Sequence, residues 1–323
     1  MHAADVHACV LVPCVRGRGA GHRCSQRHVS QRRSRLVCAA AAVHDQTPFG
    51  RREAVLLGAA LTAVLLSPGP TFAAPVPLPT KVLVVGATGE TGRRVVAQLR
   101  AANVSVVAGV RDTKKAQALG LQLAGAEIVS ADVTDGVDAL VAAIGDADAV
   151  VCATGFTPSF NFGKDNAKMV DGQGTRNLVD AAKRAGVKRF VLVSSLLTNA
   201  PAIGQADNGN YKFLNALGGI LDEKRGSELY LAASGLDWTV IRPGGLSNAP
   251  PSETGAVIAG PADTFLGLPE DPGREISRDS VAQVCVEALR NSAASGLIVE
   301  IVASPGAPPT TPDDWFAAAR ESS

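Results

Sequence analysis

The sequence predicts a doubly wound α/β fold, a parallel sheet covered by helices on both faces, and three observations predict it. From Lys81 onward short β-rich runs alternate with amphipathic helical patterns, the order a parallel sheet requires because every crossover must return the chain to the same edge. The first run, Lys81-Val82-Leu83-Val84-Val85, breaks at Gly86, Gly89 and Gly92 and passes straight into a helical pattern. Roughly 240 residues then continue this theme without an internal repeat or low-complexity tract, a length that one such domain reaches.

Residues 1–80 do not share the pattern. All five histidines (His2, His7, His22, His28, His44) and four of the six cysteines (Cys9, Cys14, Cys24, Cys38) lie there. Residues 1–52 hold nine Arg, no Lys and two Asp, a balance of +7; the whole chain totals +1, so the remainder stands at −6. An acid-poor leader containing Arg and Ser has the composition of an organelle transit peptide, here residues 1–50, with a basic arm for nucleic acid or membrane as the alternative. Residues 51–80 open on Arg51-Arg52-Glu53, continue in an apolar run from Ala54 to Leu66 and end in small residues and prolines. That run is short of the roughly 20 residues a bilayer span needs, and it matches a signal h-region with a small-residue cleavage site. The tandem resembles the two-part leaders of proteins sent to the thylakoid lumen, and the paired arginines resemble twin-arginine signals. The expectation is a plastid protein, thylakoid-associated or in the lumen, with a stromal, membrane-surface location on an uncleaved anchor as the alternative.

The domain over 81–323 has no histidine and only Cys152 and Cys285. That argues against a His/Cys metal site, a histidine-based triad and a disulfide framework. Its 22 Lys and Arg against 27 Asp and Glu, a balance of −5 with scattered cations, also lacks the basic footprint of a nucleic-acid binder.

Each element has its own warrant. Val82 to Val85 is unbroken and apolar, as a strand buried on both faces must be. Gly86 lets the chain turn, Gly89 removes a Cβ where a phosphate must approach the backbone, and Gly92 lets the helix Glu90 to Ala102 pack against the strand. In Gly86-Ala87-Thr88-Gly89-Glu90-Thr91-Gly92 the helix start offers unpaired N–H groups and a positive dipole end to the phosphates of a dinucleotide. The second strand, Val104 to Val110, ends in Arg111-Asp112. An acid at this place hydrogen-bonds a ribose 2′-hydroxyl and an Arg accommodates a 2′-phosphate, so Arg111 favours NADP, with NAD kept open by Asp112. A helix follows over Lys114 to Leu119. The third strand, Glu127 to Ser130, leads into Asp132 and Val133, placed to take an adenine amino group and ring. Asp132 could equally cap the helix Val137 to Ile144, although Asp135 is better placed. The fourth strand, Ala149 to Ala153, ends in Ala153-Thr154-Gly155, small residues that leave room for a ribose and diphosphate to cross the sheet edge.

Periodicity continues the alternation with a helix over Asn166 to Ala185, a strand over Phe190 to Ser194, a helix over Phe213 to Ser234 and a strand over Trp238 to Arg242. A helix over Arg278 to Asn291, a strand over Leu297 to Val302 and a helix over Pro312 to Arg320 complete it. Pro201 to Asn210 and Ala249 to Gly273 are rich in Gly, Pro and polar residues. They are the expected substrate-side loops, because open α/β sheets bind ligands beyond the carboxyl ends of their strands.

These residues resemble a family, the atypical short-chain dehydrogenase/reductases with NmrA-like and divinyl-reductase-like relatives. The resemblance rests on the glycine turn, Gly109-Val110-Arg111-Asp112, Ala131-Asp132-Val133-Thr134, Cys152-Ala153-Thr154-Gly155, Gly174-Thr175-Arg176-Asn177-Leu178, Phe190-Val191-Leu192-Val193-Ser194-Ser195 and Ile241-Arg242-Pro243-Gly244-Gly245. The run Ser234 to Leu246 is similar to plant and algal chloroplast members, which implies plastid membranes or plastoglobules as the setting and places Pro243 at the cofactor. The family's catalytic set is a Ser at the end of the fifth strand and a Tyr-x-x-x-Lys on the next helix. The Lys lowers the Tyr pKa and holds the nicotinamide ribose, while the Tyr passes a proton to the substrate. Ser194 and Ser195 supply the hydroxyl, with Ser195 the better fit, and Lys224 fits the lysine. Four residues before Lys224, however, stands Ile220, and the only tyrosines are Tyr211 and Tyr230.

Two functions of different class follow. One is a reductase whose small flavin, quinone or carbonyl acceptor is served without the usual tyrosine, with Tyr211 as a candidate substitute donor and the aromatics Phe156, Phe160, Phe162, Tyr211 and Phe213 as stacking surface. The other is a non-catalytic NADP(H)-sensing or assembly module at plastid membranes.

Overall fold

Seven apolar strands find one another in parallel because each is separated from the next by a helix long enough to cross the sheet. The computed structural model describes residues 77–120, 125–156, 166–216 and 218–321. The expected leader over 1–50 and the apolar run over 54–66 lie outside them, as do Phe160 and Phe162. The strands β1 (Lys81–Val85), β2 (Ser105–Val110), β3 (Glu127–Ser130), β4 (Ala149–Cys152), β5 (Arg189–Val193), β6 (Asp237–Pro243) and β10 (Leu297–Ser304) stand in the order β3-β2-β1-β4-β5-β6-β10. All these neighbours pair in parallel, with Val84 opposite both Ala108 and Val151. The order reverses between β1 and β4, and that reversal opens the crevice where an α/β sheet takes its ligand.

Alternation along β1 divides two cores. Val82 and Val84 join the core built with α1 (Glu90–Ala101), α8 (Arg278–Arg290) and α9 (Pro312–Arg320). Leu83 and Val85 join the one built with α3 (Val137–Ile144) and α4 (Thr175–Arg184). Successive side chains of a strand point to opposite faces, so one apolar run fills both layers.

Three expectations need correction. The helix expected over Phe213 to Ser234 is two helices, α5 (Gly209–Asn215) and α6 (Ile220–Ala232). Gly218 and Gly219 between them hold φ of +100° and +71°, outside the right-handed helix, and Asn215 accepts from the Leu221 N–H at 3.0 Å to start α6 afresh. The helix expected from Asn166 begins as a π-helical turn, Lys168–Gly174, before α4. Finally, the loop expected over Ala249 to Gly273 contains a short helix, α7 (Pro251–Thr254), and β8 (Ala256–Gly260), which pairs antiparallel with β10. A further strand, β9 (Glu275–Ser277), also meets β10 antiparallel and carries β7 (Gly245–Ser247) at the sheet edge.

Candidate functional site

The crevice begins at the glycine turn. Gly86 has φ +80°, and a Cβ there would lie 2.8 Å from the Ala153 carbonyl oxygen; at Gly92 it would lie 2.2 Å from the Gly86 oxygen. Both positions are therefore closed to larger residues by the protein's own backbone. Gly89 is the N-cap of α1 and supplies no side-chain cap, so the first-turn N–H groups and the dipole face outward for an anion. Glu90 is in that turn, and Arg94 at 3.1 Å together with Arg93 offsets it; burial works against its charge, but the two arginines hold its carboxyl below the usual range. Ala87 and Thr91 are buried in the turn, and Thr88 completes its outer bend.

Arg111 is exposed directly after β2. Asp112 is committed elsewhere: its carboxylate caps α2 (Thr113–Ala118) by accepting from the Lys115 N–H at 3.0 Å. Asp132 folds back to accept from the N–H and hydroxyl of Thr134, at 2.9 and 2.8 Å. Val133 is buried in the core against Gly174, so its side chain is spent on packing. Asp135 does not cap α3, which starts on Gly136 without a side-chain cap. On the other side of the crevice, Ala153 donates to the Val85 carbonyl at 3.0 Å, Thr154 Oγ1 lies 3.2 Å from Cys152 Sγ, and Gly155 follows.

Beyond the ends of β5 and β6 lies a cavity of about 1030 Å³. Ser194, Ser195, Pro243 and Leu246 line it, together with Asn210, Phe213, Leu214, Glu253 and Gly267. Both predicted substrate-side stretches thus contribute to it. Phe213 is 68% exposed and gives the cavity an uncovered aromatic face. Ser194 donates to Glu228 Oε1 at 2.6 Å, and Ser195 is the neighbouring hydroxyl residue of the cavity lining.

Lys224 is largely buried with its Nζ 2.8 Å from Asp171 Oδ1. Burial works against its charge, but Asp171 outweighs it and holds the ammonium above its usual value. Tyr211 does not join these residues. It packs with Leu196, Leu197, Leu221 and Phe265, and its phenol donates to Asp222 Oδ1 at 2.7 Å. Burial and the Asp222 carboxylate push that phenol up to about 12, the opposite of what a proton donor near neutral pH needs. Phe156 packs against the core beside α3 and α4, so Phe213 is the aromatic that faces the cavity among the described residues.

The sequence reading missed a buried charge cluster behind the cavity. Arg242 and Glu300 are 0% exposed and Glu228 1%. Arg242 grips Glu228 with two hydrogen bonds, at 3.0 and 2.8 Å, and reaches Asp263 at 2.8 Å and Glu300 at 3.1 Å. Glu300 also accepts from the N–H groups of Asp263, Thr264 and Phe265 at 2.8 to 2.9 Å. Burial raises the Glu300 carboxyl despite these donors, whereas in Arg242 the surrounding carboxylates outweigh burial and strengthen the charge. One signal was legible: Glu300 interrupts the apolar run Leu297-Ile298-Val299-Glu300-Ile301-Val302, and a charge in a central strand needs a buried partner.

A family model described as NAD(P)H-binding matches residues 86–292. An uncharacterized chloroplastic protein of Arabidopsis thaliana is 47% identical over 241 residues, covering 74% of this chain and 82% of the relative. The chloroplastic protein TIC 62 of Pisum sativum is 36% identical over 247 residues, 71% of this chain and 44% of that longer protein. Sanguinarine reductase of Eschscholzia californica is 34% identical over 243 residues, 64% of this chain and 83% of the enzyme. A solved structure from Bacillus halodurans, provisionally assigned as an NAD-dependent epimerase/dehydratase, superposes with a TM-score of 0.59 at 30% identity, over 74% of this chain and 99% of its own.

Proposed function

This chain belongs to the NAD(P)H-binding family, as an NmrA-like member of the atypical short-chain dehydrogenase/reductases, and we propose on that premise that it is an NADP(H)-dependent reductase of a flat flavin, quinone or carbonyl acceptor. The observation that carries the proposal is what stands around Lys224. Ile220 takes the tyrosine's place and is 8% exposed, and Tyr211 is held on Asp222 outside the cavity, while Ser195 lines the cavity. Such a site suits an acceptor whose reduced form takes its proton from water or a hydroxyl, without a phenol of matched pKa. The cofactor, when bound, supplies hydride. The chain's own residues do the rest: the open first turn of α1 takes the diphosphate, Lys224 the ribose, and Phe213 and Leu246 each offer exposed apolar surface to the cavity. The 2′-phosphate falls to Arg111, since Asp112 is used as a helix cap. Sanguinarine reductase among the relatives supports reductase chemistry. The chloroplastic relatives and the composition of residues 1–80 support a chloroplast setting, and the apolar run over 54–66 is the feature behind a thylakoid association. The absence of a phenol donor equally favours one other reading, an NADP(H)-sensing or assembly module at plastid membranes.

The test is a titration of the full chain with NADPH and NADH by nucleotide fluorescence, followed by loss of NADPH absorbance with flavins, quinones and small carbonyls. Expected are NADPH binding at least about tenfold tighter than NADH, a preference removed by Arg111→Ala, and turnover that survives Tyr211→Phe. Tight binding without oxidation by any acceptor would leave the sensing module, and no binding would reject both readings.

A further inference from the structure

The π-helical turn Lys168–Gly174 places a buried carboxylate where the sequence reading expected nothing. Asp171 is 2% exposed, and its two oxygens do different things. Oδ2 accepts from the Phe156 N–H at 3.0 Å, which ties the turn to the loop leaving β4. Oδ1 faces the Lys224 ammonium at 2.8 Å, off hydrogen-bond alignment, and has no aligned donor of its own. A carboxylate oxygen accepts more than one donor, so beside the misaligned ammonium Oδ1 keeps a lone pair that a further donor would fill. Both Oδ1 and Lys224 Nζ lie 3.8 Å from the point where a Cβ on Gly155 would sit. Gly155 is the small residue at the end of β4, on the crevice at the β1/β4 reversal.

We propose that Asp171 is a cofactor-positioning residue: its Oδ1 accepts a hydrogen bond from a hydroxyl of the nicotinamide-side ribose while it holds Lys224 as the donor to a neighbouring hydroxyl oxygen. The inference rests on the NADP(H)-binding reading above and extends it to a residue that reading does not use. A ribose diol presents one donor and one acceptor side by side, and an ammonium beside a carboxylate oxygen with a lone pair to spare is complementary to it. The pair also accounts for the survival of Lys224 without a tyrosine. In a Tyr-x-x-x-Lys site the ammonium faces a phenol that ionises readily. Here Ile220 offers nothing, and Asp171 supplies the negative charge that a largely buried ammonium requires. The geometry of the turn is what makes this possible. The Ser227 hydroxyl donates to the Asp171 carbonyl at 2.5 Å, with the Gly172 carbonyl at 3.1 Å, so α6 stitches itself to the widened turn one helical turn after Lys224. The groups facing Lys224 are Asp171 from the π turn, Cys152 from β4 and Glu228 from its own helix. Of these, Asp171 is the one in ion-pair contact with it among the described residues.

The experiment measures NADPH affinity of the full chain by nucleotide fluorescence, with thermal midpoints alongside, for Asp171→Asn, Lys224→Met and the double variant. Expected is at least about tenfold weaker binding for each single variant, and a double variant within about twofold of Lys224→Met, since the two act as one unit. Asp171→Asn should also weaken binding further as pH rises from about 7 to about 9.5, because burial without the carboxylate favours the neutral amine, while the wild type stays level. If Asp171→Asn does not fold, the charge-free double variant Asp171→Leu with Lys224→Met removes both partners together and carries the test: binding unchanged from wild type would overturn the proposal. Wild-type affinity in Asp171→Asn with only a lowered midpoint would make the residue merely structural and overturn it while leaving the cofactor reading intact. No NADPH binding by the wild type would overturn both.

Discussion

Tyr211 shows how far a residue's chemistry depends on what surrounds it. A loop tyrosine ahead of the lysine helix is, by sequence, a reasonable substitute donor; the fold turns it into a strut between α5 and α6 through Asp222. Its raised pKa has a measurable consequence. The folded phenol titrates near 12 against an ordinary 10, so the stability it contributes is fully present below the ordinary value and is lost as pH rises through the folded one. Urea midpoints of wild type and Tyr211→Phe are therefore expected to differ below about pH 10 and to converge toward about pH 12, the phenylalanine variant lacking this part of the alkaline limb. Ser195 and Lys224 were legible because their places are fixed by local motifs. Asp171 and Glu228 were not, because their partners, Lys224, Ser194 and Arg242, come from other elements and meet them only in the packed chain.

At the scale of elements, the strands of the parallel sheet were legible almost to the residue, since an unbroken apolar run is what burial on both faces demands. The joint between α5 and α6 was not, because helical periodicity runs through it. What decides the break is backbone conformation at Gly218 and Gly219. Nothing lies within 4 Å of a Cβ built on Gly219, so Gly219→Ala adds no clash and reports the conformational cost alone. The expected loss is about 1 to 2 kcal/mol in chemical denaturation, with Gly219→Asn closer to wild type because asparagine tolerates a left-handed φ. β8 escaped notice for a related reason. Four residues between Gly255 and Gly260 carry little local signal, and their strand conformation comes from pairing with β10.

The whole molecule is held at its carboxyl edge by charges as well as by apolar contact. Arg242 joins β6, α6, β10 and the segment around Asp263 in one cluster. Arg242→Met leaves Glu300 buried without its cation and Glu228 with the partly exposed Arg225 at 3.2 Å, and a loss of about 3 to 5 kcal/mol is expected in urea unfolding. A loss under about 1 kcal/mol would mean that water reaches the cluster. The same scale includes residues 1–80. Fused to a fluorescent protein, this stretch is expected to carry it into chloroplasts and to be shortened there; fluorescence left in the cytosol would remove the transit-peptide assignment.

The break between α5 and α6 has a consequence for descent as well as for folding. Asn210, Phe213 and Leu214 line the cavity from α5, whereas Lys224 and Glu228 carry their ion pairs from α6. A single rigid helix would transmit any shift in one set to the other. With two glycines between them and the Tyr211–Asp222 hydrogen bond as a side-chain tie across the joint, a lineage that keeps this pair can exchange the cavity-lining residues of α5 while the ion pairs of α6 stay in register, so relatives of this chain should diverge at Asn210, Phe213 and Leu214 sooner than at Lys224 and Glu228.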